Sequence, residues 1–370
     1  MTSILLEDKS IKNFEIALTQ LKKTSQAIII LSCDENQFSA QALDPILKQC
    51  SLPIIGGIFP AIVYKNRQYN QGTVLLGLDN PFNVCTIENI SQDREYEHII
   101  EEQMGPLDKN IKTMFLFFDG ISSNIDSIIQ ALFNNYGLSI NYVGGSAVGR
   151  NFQKKPVIFS NKGLLEDVAL LATSSSESTV GVKHGWESIE TTNHQITKSD
   201  GNIIYEIDYQ PAFKVYKEII ESHLHKTFDE NDFFKTARSY PLGIIRLTGD
   251  SIVRVAMSRG QDDSLHCTGD VLENAYVQIL NAENTQLIEA ARTASKLSQA
   301  GNYQKGFKLY IGCLVRLLVM GDDFYKEVEA IYEDDELLVG ALSAGEIANN
   351  KDHYLELYNS TAVVAKISDA

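Results

Sequence analysis

The sequence predicts a mixed α+β protein of two domains, made of repeated βαβ units with glycine corners, antiparallel hairpins, and sheets layered with helices. Three observations lead there. A strand–helix–strand pattern returns three times along the chain. Each copy closes on small residues, in "LPIIGG", "NYVGGSAVG" and "LLVGALSAGEIAN". Between the copies run apolar stretches without a helical face, broken by turn residues.

The first unit opens with "AIIILSC" (27–33), an unbroken apolar run that suits a buried strand. In "FSAQALDPILKQC" the residues Phe38, Ala42, Leu43, Ile46 and Leu47 share one helical face. "LPIIGG" is the second strand, ending at Gly56 and Gly57. The second unit repeats this as "TMFLFFD", "NIDSIIQALFNNYG" and "INYVGGSAVG". The third reads "FKLYIGCLVRLLV", "DDFYKEVEAIYED" and "LLVGALSAGEIAN". Each unit spans roughly thirty residues, the length of a right-handed parallel crossover. The glycines are expected to let the chain turn sharply where each second strand ends.

Strands without helices follow each unit. "GTVLLGLD" and "FNVCTIENI" come after the first, and "DHYLELYNSTAVVAKI" ends the chain. After the second unit a longer stretch is punctuated by "NKG" and "SSSES". "QPAFKVYKEIIESHL" reads as a helix with Pro211 in its first turn. A charged stretch, "HKTFDENDFFKTARSYPLG", then separates two regions, and the domains are placed at 1–208 and 209–370.

A chain of 370 residues with 44% hydrophobic and 22% charged residues suits two globular domains. The net charge of −16, with no Lys/Arg cluster, argues against nucleic acid or an anionic membrane surface as partner. The opening "MTSILLEDKSIKNFEIALTQ" lacks the basic start of a signal peptide. The longest apolar run, Leu309 to Met320, is too short to span a bilayer and holds Arg316. Five scattered cysteines without a CxxC pair suit free thiols in a reducing, cytoplasmic setting.

Candidate chemistry is sparse. Around Gly144, Gly145 and Ser146 a phosphate-binding loop would need Lys-Ser/Thr where Arg150-Asn151 stands, and no helical face follows. A structural corner that lines a pocket is the better reading. In "YIGCLVRLL", read as a strand, Cys313 and Arg316 point apart unless the strand ends or bulges. A guanidinium in an apolar run needs a partner. Arg316 is therefore either in a structural ion pair or a clamp for a ligand carboxylate. Glu346, beside Gly345 in "GALSAGEIANN", is either an exposed loop acid or a pocket carboxylate facing Arg316 or a ligand amine. No local base activates a cysteine, and no zinc spacing is present. His184, in "KHGW", is a packed histidine or a metal or haem ligand.

Several segments carry a family resemblance in order, from about Ile28 to Val364: "NYVGGSAVG", "NKGLLEDVALLA", "VGVKHGW", "HQITKSDGNIIYEIDYQPAFKVYKEII", then "VGALSAGEIAN" and "LYNSTAVV". Together they resemble the FIST family, a FIST N domain followed by a FIST C domain. The resemblance implies a sensor rather than an enzyme, taking a small ligand such as an amino acid. With no output domain in this chain, it implies a signalling partner, a histidine kinase or a cyclic-di-GMP enzyme. It also implies an alternative, a haem-binding nitric-oxide sensor, and His184 is the residue to hold the haem. An enzyme using the glycine loop or Cys313 is the second alternative. The family pattern places ligand contacts at Arg316, Glu346, Cys313, Gly345, Gly144, Gly145 and Ser146. The first repeat reads "GGIFPAIV" and lacks an acid equivalent to Glu346.

Overall fold

The computed structural model describes residues 1–247, 249–301, 305–333, 336–349 and 354–369. Asp352 and His353, at the head of the last predicted strand, lie outside them. The three βαβ units are present. Unit 1 is β1 (Ala27–Cys33), α1 (Ala40–Lys48) and β2 (Ile54–Phe59). Unit 2 is β3 (Thr113–Asp119), α2 (Ile125–Tyr136) and β4 (Asn141–Ala147). Unit 3 is β5 (Gly306–Cys313), α3 (Leu314–Met320), α4 (Phe324–Ile331) and β6 (Leu337–Ser343). In each unit the two strands pair in parallel.

Each unit sits in a six-stranded sheet, and the three sheets share one strand order. An antiparallel pair comes first: Thr2–Leu6 with Thr73–Leu78, Asn83–Glu88 with Val168–Ser174, and Ser178–Lys183 with Ala362–Ser368. The parallel pair of the unit follows. The last two strands are a hairpin donated by a different unit. The hairpin after β2, which includes Ala61–Tyr64, pairs with β6 of unit 3. The hairpin after β4, which includes Ile158–Ser160, pairs with β2 of unit 1. The strand after β6, Glu346–Ala348, pairs with β4 of unit 2. The exchange is cyclic, so each unit completes the sheet of another.

The glycines are not corners, and here the structure corrects the sequence reading. Gly56, Gly144 and Gly340 lie inside β2, β4 and β6, directly opposite Ile30, Leu116 and Tyr310 of the parallel neighbour. A Cβ on Gly144 would lie 1.7 Å from the Leu116 carbonyl oxygen; the equivalent distances at Gly56 and Gly340 are 1.9 and 2.3 Å. The same register position is therefore glycine in all three units because the backbones approach too closely for any side chain.

A fourth sheet of nine strands, all antiparallel, runs from Glu187–Ser188 to Tyr276–Asn281. It is inserted between the edge strand of sheet 3 and β5. Its own core packs Phe213 and Tyr216 of the helix Ala212–Leu224 with Ile196, Ile204 and Leu242 of the sheet. Residue 208 falls within this sheet, between strands Ile203–Ile207 and Gln210–Pro211. Among the described residues, no helix is long and apolar enough to cross a membrane.

Gly144→Ala is expected to cost about 3 kcal/mol or more in urea unfolding, because its Cβ collides with backbone that cannot give. At Gly105 an added Cβ meets nothing within 4 Å, so Gly105→Ala should cost only the backbone strain of φ 58 and ψ −161, about 1–3 kcal/mol and less than Gly144→Ala. Equal losses at the two sites would refute the close-approach account.

Candidate functional site

In parallel α/β units, ligands collect beyond the carboxyl ends of the strands. The three units offer three such ends, at Cys33, Asp119 and Cys313, which share one register position. The first is sealed by the loop after β4: Asp34 accepts the Arg150 backbone N–H at 2.9 Å and forms an ion pair with Lys155. The third is sealed by the inserted sheet, where Val255 and Met257 pack on Cys313 and Val315. The second opens into a cleft between α2 and the inserted sheet.

The cleft has two lobes. One, of about 470 Å³, carries Arg254, Asp270 and Glu356 among apolar residues that include Phe133 and Tyr354. The other, of about 490 Å³, is lined by the loop from Gly120 to Asn124, with Asn202 and Thr268 opposite. Asp126, Ser127, Asp270 and Leu357 belong to both lobes.

Arg254 is 3% exposed, yet its guanidinium is only partly engaged. Nε donates to the Asp270 carbonyl at 3.1 Å. Nη1 donates to the carbonyls of Val253 and Leu357 and to Asn359 Oδ1. Nη2 makes no hydrogen bond among the described residues; Asp126 Oδ1 lies 3.8 Å away. Burial holds the Asp270 carboxyl above its ordinary range, and the charge of Asp126 adds to this. Glu356 is likewise raised by burial, against the pull of Arg246, its ion-pair partner. Helix α2 begins at this junction without a side-chain cap, its N-cap Asn124 at φ 62. Among the described residues no side chain caps its first N–H groups, which is where a helix start takes a ligand oxygen.

None of the residues singled out from sequence lines the cleft, and His184 lines a separate cavity of about 240 Å³. Gly145 pairs with Glu346, and the Ser146 N–H donates to the Gly345 carbonyl at 2.9 Å. Gly144, Gly145, Ser146, Gly345, Glu346 and Cys313 thus meet where units 2 and 3 join. Glu346 is fully buried; its oxygens accept from Ser343 Oγ at 2.9 Å and the Thr361 N–H at 3.1 Å. Burial pushes its carboxyl up to about 8. The Cys313 thiol is buried beside it and pushed well above its ordinary value, the opposite of an activated nucleophile.

Arg316 does not pair with Glu346. The strand ends at Cys313, and Arg316 lies on helix α3, fully buried. Its Nε and Nη2 grip both carboxylate oxygens of Glu327, which sits on α4. Nη1 donates to the carbonyls of His184 and Ser360, and Nη2 also to that of Leu287. Every N–H has a protein acceptor, so none is left for a ligand carboxylate. Ile62 takes the register position of Glu346 in unit 1, where the missing acid was noted.

His184 does not fit a haem. Its Nδ1 accepts the Trp186 N–H at 2.9 Å, which puts the proton of the neutral ring on Nε2 and leaves no lone pair there for iron. Burial lowers its pKa to about 4, so the ring is neutral at pH 7. Among the described residues, no group of three or more His, Cys, Asp or Glu could hold a metal ion.

Comparison with known proteins now decides the family. The FIST N domain matches residues 27–210 and the FIST C domain residues 212–349. The chain belongs to the FIST family. FIST domains are signal-transduction sensor domains. An uncharacterized protein of Methanocaldococcus jannaschii, MJ1623, is 20% identical over 389 residues, spanning 94% of this chain and 75% of its own. The boundary between the two FIST matches falls inside the nine-stranded sheet, so the FIST N and FIST C segments share that sheet as well as the exchanged ones.

The cleft residues were missed because they are scattered. Asp126 follows the strand-to-helix loop of unit 2, and Arg254 interrupts the apolar alternation of "SIVRVAM". That Arg was the one readable signal, equal in kind to Arg316.

Two stability tests follow. Arg316→Met leaves Glu327 buried and unpaired and is expected to cost about 3–5 kcal/mol. Arg316→Met with Glu327→Leu should recover most of that loss in urea unfolding; no recovery would mean the cost lies elsewhere. The second test is pH. Glu346 titrates at about 8 folded against an ordinary 4.5, so in this window the folded chain holds the extra proton and stability falls as pH rises. His184, at about 4 against 6.5, acts oppositely and only below pH 6.5. From pH 6.5 upward the wild type should therefore lose about 1.4 kcal/mol per pH unit relative to Glu346→Gln, the slope falling to about half of that near pH 8. Parallel pH profiles would contradict this.

Proposed function

We propose that this FIST protein is a ligand-binding sensor whose site is the open strand-end cleft of unit 2. The ligand is a small zwitterion, an amino acid in the simplest case. One observation carries the reading: Arg254 lines the cleft, and its Nη2, which makes no hydrogen bond among the described residues, stands 3.8 Å from Asp126. A ligand carboxylate is held by Nη2 and the N–H groups at the start of α2. A ligand ammonium lies against Asp126 and Asp270, which meet at the junction of the lobes.

The arrangement binds and does not react. Of the nucleophiles near its carboxyls, the Cys267 thiol is pushed up to about 12 by burial and the Thr268 hydroxyl donates to Asn359 Oδ1 at 2.8 Å, so neither is activated; the buried Cys313 does not line the cleft. Output passes through a partner, a histidine kinase or a cyclic-di-GMP enzyme, which reads the position of the inserted sheet against unit 2.

The test is calorimetry of the full chain against the amino acids. Asp126→Asn, which keeps the side chain's size, should weaken the best binder about tenfold, and Arg254→Met about thirtyfold or more. Unchanged affinity in both folded variants would place the ligand elsewhere.

A further inference from the structure

We propose that Phe152 determines ligand specificity, holding its ring against the apolar part of the bound molecule. The inference rests on the cleft being the ligand site. Phe152 lines the second lobe, whose lining also carries Ser122, Ser123, Asn124, Asp126 and Asp270. Among the described residues that line it Phe152 is the one aromatic, and Ile121, Ile125, Met257, Ala344 and Leu357 are also apolar. The ring is 43% exposed, so an apolar ligand group would cover it.

Its backbone points the same way. Phe152 has φ +51, a conformation that bulky residues rarely adopt. Such strain persists only where the surroundings over-determine it, and it gathers at ligand clamps. Here the surroundings are explicit. The Phe152 N–H donates to the Gly149 carbonyl at 3.1 Å, closing a turn. On one side, the Arg150 N–H bonds to Asp34 Oδ2 and Arg150 Nε donates to the Pro60 carbonyl at 3.1 Å. On the other, Lys155 pairs with the second oxygen of Asp34. One carboxylate of unit 1 therefore pins the loop before and after Phe152 and fixes the ring at the mouth of a cleft in unit 2. Sealing the strand end of unit 1 needs the Arg150 and Lys155 contacts but not a phenylalanine between them.

Glycine and L-leucine are the probes, measured by calorimetry on the full chain. The wild type should bind leucine about tenfold tighter than glycine, the scale expected for an apolar contact. Phe152→Asn suits the positive φ and should raise Tm by about 1–2 °C while bringing the two affinities within about threefold. Phe152→Leu should restore the preference. An unchanged leucine-to-glycine ratio in Phe152→Asn overturns the proposal while leaving the cleft as the site. If the wild type binds neither probe, the cleft reading fails and the role of Phe152 fails with it.

Discussion

The cyclic exchange of hairpins is the constraint on which the molecule depends. No unit completes its own six-stranded sheet, because its two outer strands come from elsewhere in the chain. None of the strands β2, β4 and β6 can therefore leave its sheet without breaking both the parallel ladder of its own unit and the antiparallel ladder to a donated hairpin. The glycine register follows from the same demand. Where three sheets meet at a common centre, the parallel backbones crowd, and side chains at Gly56, Gly144 and Gly340 would strike the neighbouring strand. The exchange also makes the FIST N and FIST C segments one folding unit in practice. Hairpin Ala61–Tyr69 finishes a sheet of the C-terminal segment, and Glu346–Ala348 finishes one of the N-terminal segment.

Against this rigid frame, near-threefold repetition makes the differences informative. Three equivalent strand ends exist, and two are filled from within. Asp34 draws the loop after β4 onto the first, and the inserted sheet covers the third. The second is left open, and there an uncapped helix start, two carboxylates and a partly engaged arginine converge. Composition does not single out this place; plugging of its two equivalents does.

Much of the frame could be read from residues alone. The run "AIIILSC", its two counterparts and the apolar faces of the intervening helices carry periodicity that survives in β1, β3, β5 and their crossovers. The exchange could not be read, because pairing of Ala61–Tyr64 with Leu337–Ser343 is a contact between distant segments with no local trace. The glycines misled for the same reason: a glycine required by close approach looks, in sequence, like a glycine required by a turn. Arg316 shows a third limit. Its need for a partner was legible, but Glu346 and Glu327 are both acids at reachable spacing, and only the start of a helix at Leu314 selects Glu327.

That choice gives Arg316 a structural role at the roots of the inserted sheet. The inserted sheet leaves unit 3 near His184 and returns through the helix that contains Leu287. Arg316 donates to both of those carbonyls while Glu327 holds it in place, so a single guanidinium staples the two roots of the insertion to helix α3. The far side of the insertion meets unit 2 across the cleft through Arg254 beside Asp126 and through the Arg246–Glu356 pair. The sheet is thus fixed at its roots and held at its far side by contacts that a bound ion can replace. A buried, fully bonded pair suits the first task, since removing either partner strands the other charge. A half-satisfied arginine suits the second, because its Nη2, which makes no hydrogen bond among the described residues, can take a partner that enters the cleft.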